Sequence, residues 1–509
     1  MSNNSSNRRN FLKSSLGGLS SVAVVGLAPE FSPETGPRHL SARDLVELEA
    51  DVQPLVRLIE RTPRTKCIGV VANEIQRGTS YRTLMAALFL AGITNIKSAN
   101  TGGPLHAVFV MHSAHQMSLD SAPGEQFLPM FWALDNFKAV QDRGDRLEKM
   151  QTFSGRKIAP EKAIKEFELA MESWDPDRAE AAMISMLSNL GSHEIIERMW
   201  KYGARDYRAI GHKAIYVANS WRTLSTIGWR HAQPAMRHLA RALVAYGAHA
   251  SGSGFTMDQQ SYHENVIRAE KHAANLPNNL IGHLDDVRAV EEVLEAIRNA
   301  DHDAACDLVI NLLASGAAKS GTIWDAVHLS AGEIVMRQAT IRPVHGVTSA
   351  NAIRYAFDQS SIPQTRLLLL LQSVGWMCHF IRYISSLAPP FPKKQINQLS
   401  EVDIPSDTTN AVIEIFDMMS GDPDAAAIRA YSLANREDVS NQFQRVARGL
   451  IYRKGNESHR YKFPAAAWED IRLLSPRWRP NFLAASTYYL CGSKLPDSPV
   501  MNNIKESLR

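Results

Sequence analysis

Along most of the chain apolar residues recur at spacings of three and four, as in AEAAMISMLSNL, EIIERMWKYGARDY and AVEEVLEAIRNA. This spacing lays one apolar stripe along a 3.6-residue turn and predicts amphipathic helices. Alternating strand patterns are rare. KCIGVV and HAVFVM are the two candidates, and both also fit helices. Prolines and Asp, Ser or Asn caps punctuate the segments, so many helices joined by short loops are expected. The expected fold class is all-α.

The helical pattern carries a fourfold recurrence. Four histidines open predicted helices: His106 in PLHAVFVMHSAH, His212 in IGHKAIYVANSW, His345 in PVHGVTSANAIR and His459 in ESHRYKFPAAAW. Each is followed, at spacings of 23, 22, 18 and 21, by a proline suited to start a further helix: Pro129, Pro234, Pro363 and Pro480. Upstream, Asp175, Asp301 and Asp422 are N-caps of alanine-rich helices. The first unit lacks that cap, and TPRTKC begins its helix instead. Each unit therefore reads as helix, helix, loop, histidine, helix, proline, helix. The units run over about 62–140, 175–250, 301–385 and 422–492, in a single helical repeat domain spanning 31–509. Stacked hairpins bury their apolar faces on their neighbours, so one array of paired helical hairpins is expected, able to close into a ring.

Composition narrows the classes. Hydrophobic residues make up 45% of the 509 positions and charged residues 21%, an ordinary globular balance. A net charge of +4, from 56 basic and 52 acidic residues, is too mild and too evenly spread for a nucleic-acid partner. After residue 30 no run approaches the ~18 apolar residues of a membrane span, so no mature transmembrane helix is expected. The N-terminus reads NRRNFLKSS and then LGGLSSVAVVGLA. Paired arginines before a weakly apolar run resemble a twin-arginine export signal over residues 1–30, retained as an anchor if uncleaved. That implies the twin-arginine export machinery as a partner and a periplasmic location. Its passengers fold before export, and many load a cofactor first. Cys67, Cys306, Cys378 and Cys491 lie in apolar contexts without CxxC spacing and read as buried free thiols.

Histidine is the candidate chemistry. Imidazole ligates iron, copper and zinc and is a general base near neutral pH. In a curved or closed array His106, His212, His345 and His459 would face one cavity, while in an open scaffold they would be strung over ~15 Å apart, one helix layer after another. His112 and His115 share a helix face in the first unit and join the pool of metal ligands. Asn219 and Asn351 lie at matching depth in two other units, either lining that cavity as cofactor-binding groups or bonding neighbouring helices. Asp206 before His212, and Glu333 with His328, are carboxylate candidates for orienting a histidine. The alternative for each histidine is structural, a pin between helix and loop. There is no P-loop, no GxGxxG between strand and helix, no GxSxG, no CxxCH and no zinc-ribbon spacing.

The segments GHKAIYVANSWRTL and VHGVTSANAIRYAF, with RLLLLLQSVGWM behind the second, resemble the questin oxidase-like family over about residues 205–380. That family carries H-x-x-x-x-x-A-H-A-hydrophobic segments at helix starts. The resemblance implies an all-α fold and, from the founding fungal members, oxidative cleavage of an anthraquinone ring with NADPH and oxygen. His212 and His345 match the family histidines and are the implied catalytic pair. Where the family has its second histidine, this chain has Asn219 and Asn351. The resulting expectation is an exported oxidoreductase acting on a small apolar or aromatic substrate through a histidine-lined cavity. The rival expectation is a non-catalytic helical scaffold of the cell envelope.

Overall fold

The computed structural model describes residues 45–98, 102–144, 147–155, 158–245, 256–276, 281–387, 391–436 and 439–508. The export signal expected at residues 1–30 lies outside them. Among the described residues there is no strand, only two isolated bridges, Leu45 with Gln151 and Ile96 with Leu147. Both short strand-like runs are helical.

Among the described residues the first helix is α1 (Gln53–Arg61), followed by α2 (Arg64–Gln76), α3 (Tyr81–Asn95), α4 (His106–Leu119) and α5 (Leu128–Arg143). After α6 (Ala163–Glu172) come α7 (Pro176–Asn189), α8 (Ser192–Gly203), α9 (His212–Ile227) and α10 (Ala232–Leu243). Next are α11 (Thr256–His272), α12 (Val287–Arg298), α13 (His302–Ala314), α14 (Ser320–Arg337), α15 (Ile341–Gln359) and α16 (Pro363–Ser385). The last stretch holds α17 (Thr408–Met418), α18 (Pro423–Arg436), α19 (Ser440–Lys454), α20 (His459–Leu473), α21 (Arg479–Ser486) and α22 (Pro499–Ser507).

Local chemistry sets these boundaries. Asp175 accepts from the amides of Asp177 and Arg178, Asp301 from Ala304 and Asp422 from Ala425, each satisfying orphan donors of a first turn. Pro363 is the first residue of α16, and Pro129 and Pro480 are the second residues of α5 and α21, where no N–H is required. One boundary differs from expectation. His345 does not open its helix, because α15 starts four residues earlier, at Ile341. Pro343 sits in that first turn, where its missing donor leaves no ladder bond unmade, so the helix begins before the proline.

Apolar side chains from nearly every helix join one continuous core. Helix α16 is long and apolar enough to cross a membrane, yet 89% of its most apolar stretch is buried inside the protein. The four cysteines are free and buried. Glu333 belongs to this framework: it accepts from Arg298, Arg337 and the amide of Ile396, pinning α14 to α12 and to the segment before α17. Asp206 accepts from the buried ammonium of Lys213 at 2.7 Å.

The frame that matters for function is made of α4, α9, α15 and α20. Helix α4 packs on α9, α9 on α15, α15 on α20, and α20 back on α4. Close approach is built into the sequence at Gly211, which precedes α9. Its φ is +86°, and a Cβ there would lie 2.3 Å from the Cβ of Ser349 on α15.

Candidate metal centre

Each of the four helices brings one histidine to the same point. Ring centroids lie 5.0 Å apart for His106 and His212, 4.4 Å for His212 and His345, 4.9 Å for His345 and His459, and 4.8 Å for His459 and His106. The ~15 Å separations of an open ridge are therefore absent from this set. Nε2 of His212 is 3.2 Å from Nε2 of His106 and 2.9 Å from Nε2 of His345. Ligand atoms of His106, His212 and His345 all lie within 4.8 Å of one another. Nε2 of His459, the fourth ring, is buried and has no hydrogen-bond partner.

The other ring nitrogen decides the tautomer. Nδ1 of His106 meets the carbonyl of Gly103 at 2.7 Å, Nδ1 of His212 that of Ala209 at 2.6 Å and Nδ1 of His345 that of Ile341 at 2.7 Å. A carbonyl only accepts, so each Nδ1 carries the proton and each Nε2 presents a lone pair inward. His459 does the same with the carboxylate of Glu457, at 2.6 Å. These partners come from the turns before three of the histidines and from the first turn of α15 for His345. Burial holds all four rings far towards the neutral form: His212 is pushed down to about 3, while His106 and His345 lie well below their ordinary value. In His459 burial again lowers the pKa, and Glu457 opposes it.

Lone pairs facing each other at 2.9–3.2 Å repel unless a cation lies between them. Metal–imidazole bonds of ~2.0–2.1 Å place neighbouring nitrogens about 2.9 Å apart at a right angle and about 3.4 Å apart in a tetrahedron, a range that spans both distances here. The oriented Nδ1–H···O contacts are also the outer-sphere arrangement that fixes a ligating histidine. The residues present thus fit a first-row divalent metal, and imidazole suits iron, copper or zinc.

The remaining predicted ligands sit elsewhere. Nδ1 of His115 is 3.0 Å from the hydroxyl of Tyr81, away from the cluster, and burial pushes its pKa down to about 4. His112, six residues beyond His106 on α4, keeps a buried Nδ1 without a partner. Asn219 donates to the carbonyl of Phe109 at 2.9 Å, and Asn351 donates to Glu469 and Asp470 at 2.9 and 2.8 Å. Both amides therefore tie neighbouring helices of the frame together. The small cavity they line beneath the histidines, about 20 Å³, has room for one water and none for a nucleotide. A second group, Glu264, His302 and Asp303, also offers three ligand atoms, but Arg268 neutralises Asp303 at 2.8 Å.

No protein-family model, curated protein or solved structure matches this chain. The chemistry of the site therefore rests on its own residues.

One cleft borders the histidines, and a small cavity lies deeper among the same helices. An outer cleft of about 690 Å³ reaches His106 and His459 between α4, α5, α20 and the start of α22. Its walls combine Trp132, Pro104 and Val140 with Arg64, Asn136 and Arg143. The inner cavity is lined by His112, Asn219, Arg222, Asn351, Lys462 and Glu469, among others, and by none of the four clustered histidines. Those residues stand deeper on four neighbouring helices, three of which begin at their histidine and the fourth four residues before it, so the four run in the same direction. Their positive N-terminal ends converge on the site.

Lys462 is the residue that sequence reading missed. It is 2% exposed, and its Nζ has no hydrogen-bond partner. Burial pushes its pKa down to about 7. A signal was available: three residues after each histidine stand Phe109, Ile215, Thr348 and Lys462, and only the last is ionisable. Glu457 was also missed, because a carboxylate two residues before a histidine has no fixed geometry until the turn is folded.

Proposed function

We propose that the protein is an exported oxidoreductase whose centre is one divalent metal ion held by Nε2 of His106, His212 and His345, with His459 as a fourth ligand. The observation that carries this reading is the convergence of inward-facing Nε2 lone pairs whose Nδ1 protons are all committed to oxygen acceptors. A redox-active iron or copper would supply electron transfer to or from substrate or oxygen. The chain's own residues do the rest. The turns before α4, α9 and α20 fix three imidazole orientations, the first turn of α15 fixes the fourth, and the buried frame excludes bulk water from the inner side. The outer cleft admits substrate beside His106 and His459. Trp132, Pro104 and Val140 suit the body of a small ring-bearing molecule, and Asn136 and Arg143, beside the Arg64–Asp135 ion pair, suit polar substituents on it. We read the four stretches as copies of one paired-hairpin unit, closed into a ring by the contact of α20 with α4. The questin oxidase-like resemblance is compatible with this reading, and NADPH, if used, would have to bind in the outer cleft. Export by the twin-arginine route is part of the same proposal, since that route carries proteins folded around their cofactor.

The test is elemental analysis by mass spectrometry of the purified protein beside a His106→Ala/His212→Ala double variant. Stoichiometric iron or copper that disappears from a still-folded variant is expected. Zinc alone would remove the redox assignment. No metal in either protein, with a lowered melting temperature in the variant, would make the histidines structural pins and favour the envelope scaffold.

A further inference from the structure

The four histidines come from helices that pack in a closed cycle, α4 on α9, α9 on α15, α15 on α20 and α20 on α4. The helices run in one direction, and each brings its histidine to the same end. Four ligands meeting at one level around an axis form a plane, whereas a tetrahedron needs two of them at a different height. The ring positions distinguish these cases. An imidazole bonded through Nε2 at ~2.0–2.1 Å keeps its centroid about 3.2 Å from the ion. In a tetrahedron every pair of centroids is then about 5.2 Å apart, while in a square plane neighbours are about 4.5 Å and opposite rings about 6.4 Å apart. Around the cycle the separations are 5.0, 4.4, 4.9 and 4.8 Å, and across it His106 and His345 are 6.3 Å apart. The cross-ring distance is that of an opposite pair in a plane and about 1 Å too long for a tetrahedron. The 2.9 Å between Nε2 of His212 and Nε2 of His345 is likewise the right-angle value.

We propose that the histidine ring is a copper(II) site with four imidazole nitrogens in one plane, His106 opposite His345 and His212 opposite His459. The proposal rests on the metal reading above. The donor set favours the same ion. All four donors are neutral imidazoles, and the one carboxylate at hand, Glu457, is engaged by Nδ1 of His459 on the far side of that ring. Zinc favours a tetrahedron, and non-haem iron is typically held by two histidines and a carboxylate. A square of nitrogen donors suits copper(II) or nickel(II), and copper(II) binds the more tightly of the two. The plane also fixes how substrate meets the metal. Its four positions are filled, so a donor atom arriving through the outer cleft, past His106 and His459, takes an axial position. Phe109, three residues into α4, packs its ring 5.8 Å from both His106 and His212 and offers no donor of its own.

The experiment is electron paramagnetic resonance of the chelator-treated full chain loaded with copper(II), for wild type, His459→Ala and His115→Gln. Copper and zinc affinities, by competition with a chelator, and melting temperatures are measured on the same samples. The expected wild-type spectrum is axial, with g∥ above g⊥, a wide copper hyperfine splitting and superhyperfine structure from four nitrogens. His115→Gln should leave it unchanged. His459→Ala should show three histidine nitrogens and bind copper about tenfold or more weakly, and zinc should bind wild type about tenfold or more weakly than copper does. A wild-type spectrum with the collapsed hyperfine splitting of a tetrahedral site, or with fewer than four nitrogens, overturns the planar copper site and leaves the metal reading standing. Zinc binding more tightly than copper does the same. Should His459→Ala fail to fold, the wild-type spectrum and affinities decide alone. A wild-type protein that takes up neither metal overturns the metal reading and this site with it.

Discussion

Replacing Lys462 by methionine should stabilise the metal-free protein at neutral pH. The side chain is fully buried without a hydrogen-bond partner, and burial lowers its pKa from 10.5 to about 7. A folded-state pKa below the unfolded one means that the unfolded chain takes up the proton more readily. Above pH 10.5 both states are neutral and the lysine has no linkage effect. As pH falls from 10.5 towards 7 the unfolded state protonates first, and stability drops by about 1.4 kcal/mol per pH unit. At pH 7 the accumulated penalty is about 4 kcal/mol, and below that pH it is constant. Methionine has nearly the same length and no charge, so Lys462→Met should gain about 3–4 kcal/mol at pH 7 and only about 1 kcal/mol at pH 10. Urea unfolding of chelator-treated protein, followed by far-ultraviolet circular dichroism at both pH values, measures the difference directly. A variant less stable than wild type at pH 7 would refute the argument. So would a gain of the same size at pH 7 and pH 10, because the effect would then come from packing and not from the proton.

Other outcomes follow from the same physics. Buried neutral histidines make the metal-free protein acid-labile: with pKa values pushed down to about 3 for His212 and His379 and about 4 for His115 and His238, the histidine contribution to stability should be flat above pH 6.5. It should then fall by about 2 kcal/mol per histidine on reaching pH 5, since only the unfolded chain protonates there; a melting temperature constant down to pH 4.5 would contradict this. Gly211→Ala combines a left-handed backbone with a Cβ 2.3 Å from Ser349, so a loss of about 3 kcal/mol is expected, with metal stoichiometry falling alongside the melting temperature. Glu457→Gln weakens the acceptor that orients His459, and metal affinity measured by competition with a chelator should drop about 10- to 100-fold while the fold is retained.

Much of the helical layout was legible because helix formation here is driven by a local stripe of apolar residues and ended by local caps. Asp175, Asp301 and Asp422 cap the helices they were expected to cap, and His106, His212 and His459 open theirs. The start of α15 was misplaced because the recurrence put it at His345, whereas the helix begins at Ile341 with Pro343 in its first turn. Within the candidate site, the four histidines could be picked out by their recurrence. His112 and His115 could not be separated from them: on sequence spacing alone they looked like a ligand pair, whereas folding aims His115 at Tyr81 and His112 into the inner cavity. Glu333 and Asp206 likewise looked like partners of a histidine and are bonded instead to Arg298, Arg337 and Lys213.

The sequence by itself determined the secondary structure class and the four histidine-bearing helices, because spacing, capping and proline chemistry act within a few residues of each other. Only the tertiary structure decided that these helices run side by side in one direction, that carbonyls and one carboxylate take every Nδ1 proton, and that Lys462 lies beneath the rings. Each Nδ1 acceptor lies within four residues of its histidine but meets the ring only once the turn is folded, while the convergence of the rings depends on helices whose histidines are more than a hundred residues apart along the chain. Their relative positions are fixed by the packing of whole helices, as at Gly211 against Ser349, and not by any local pattern.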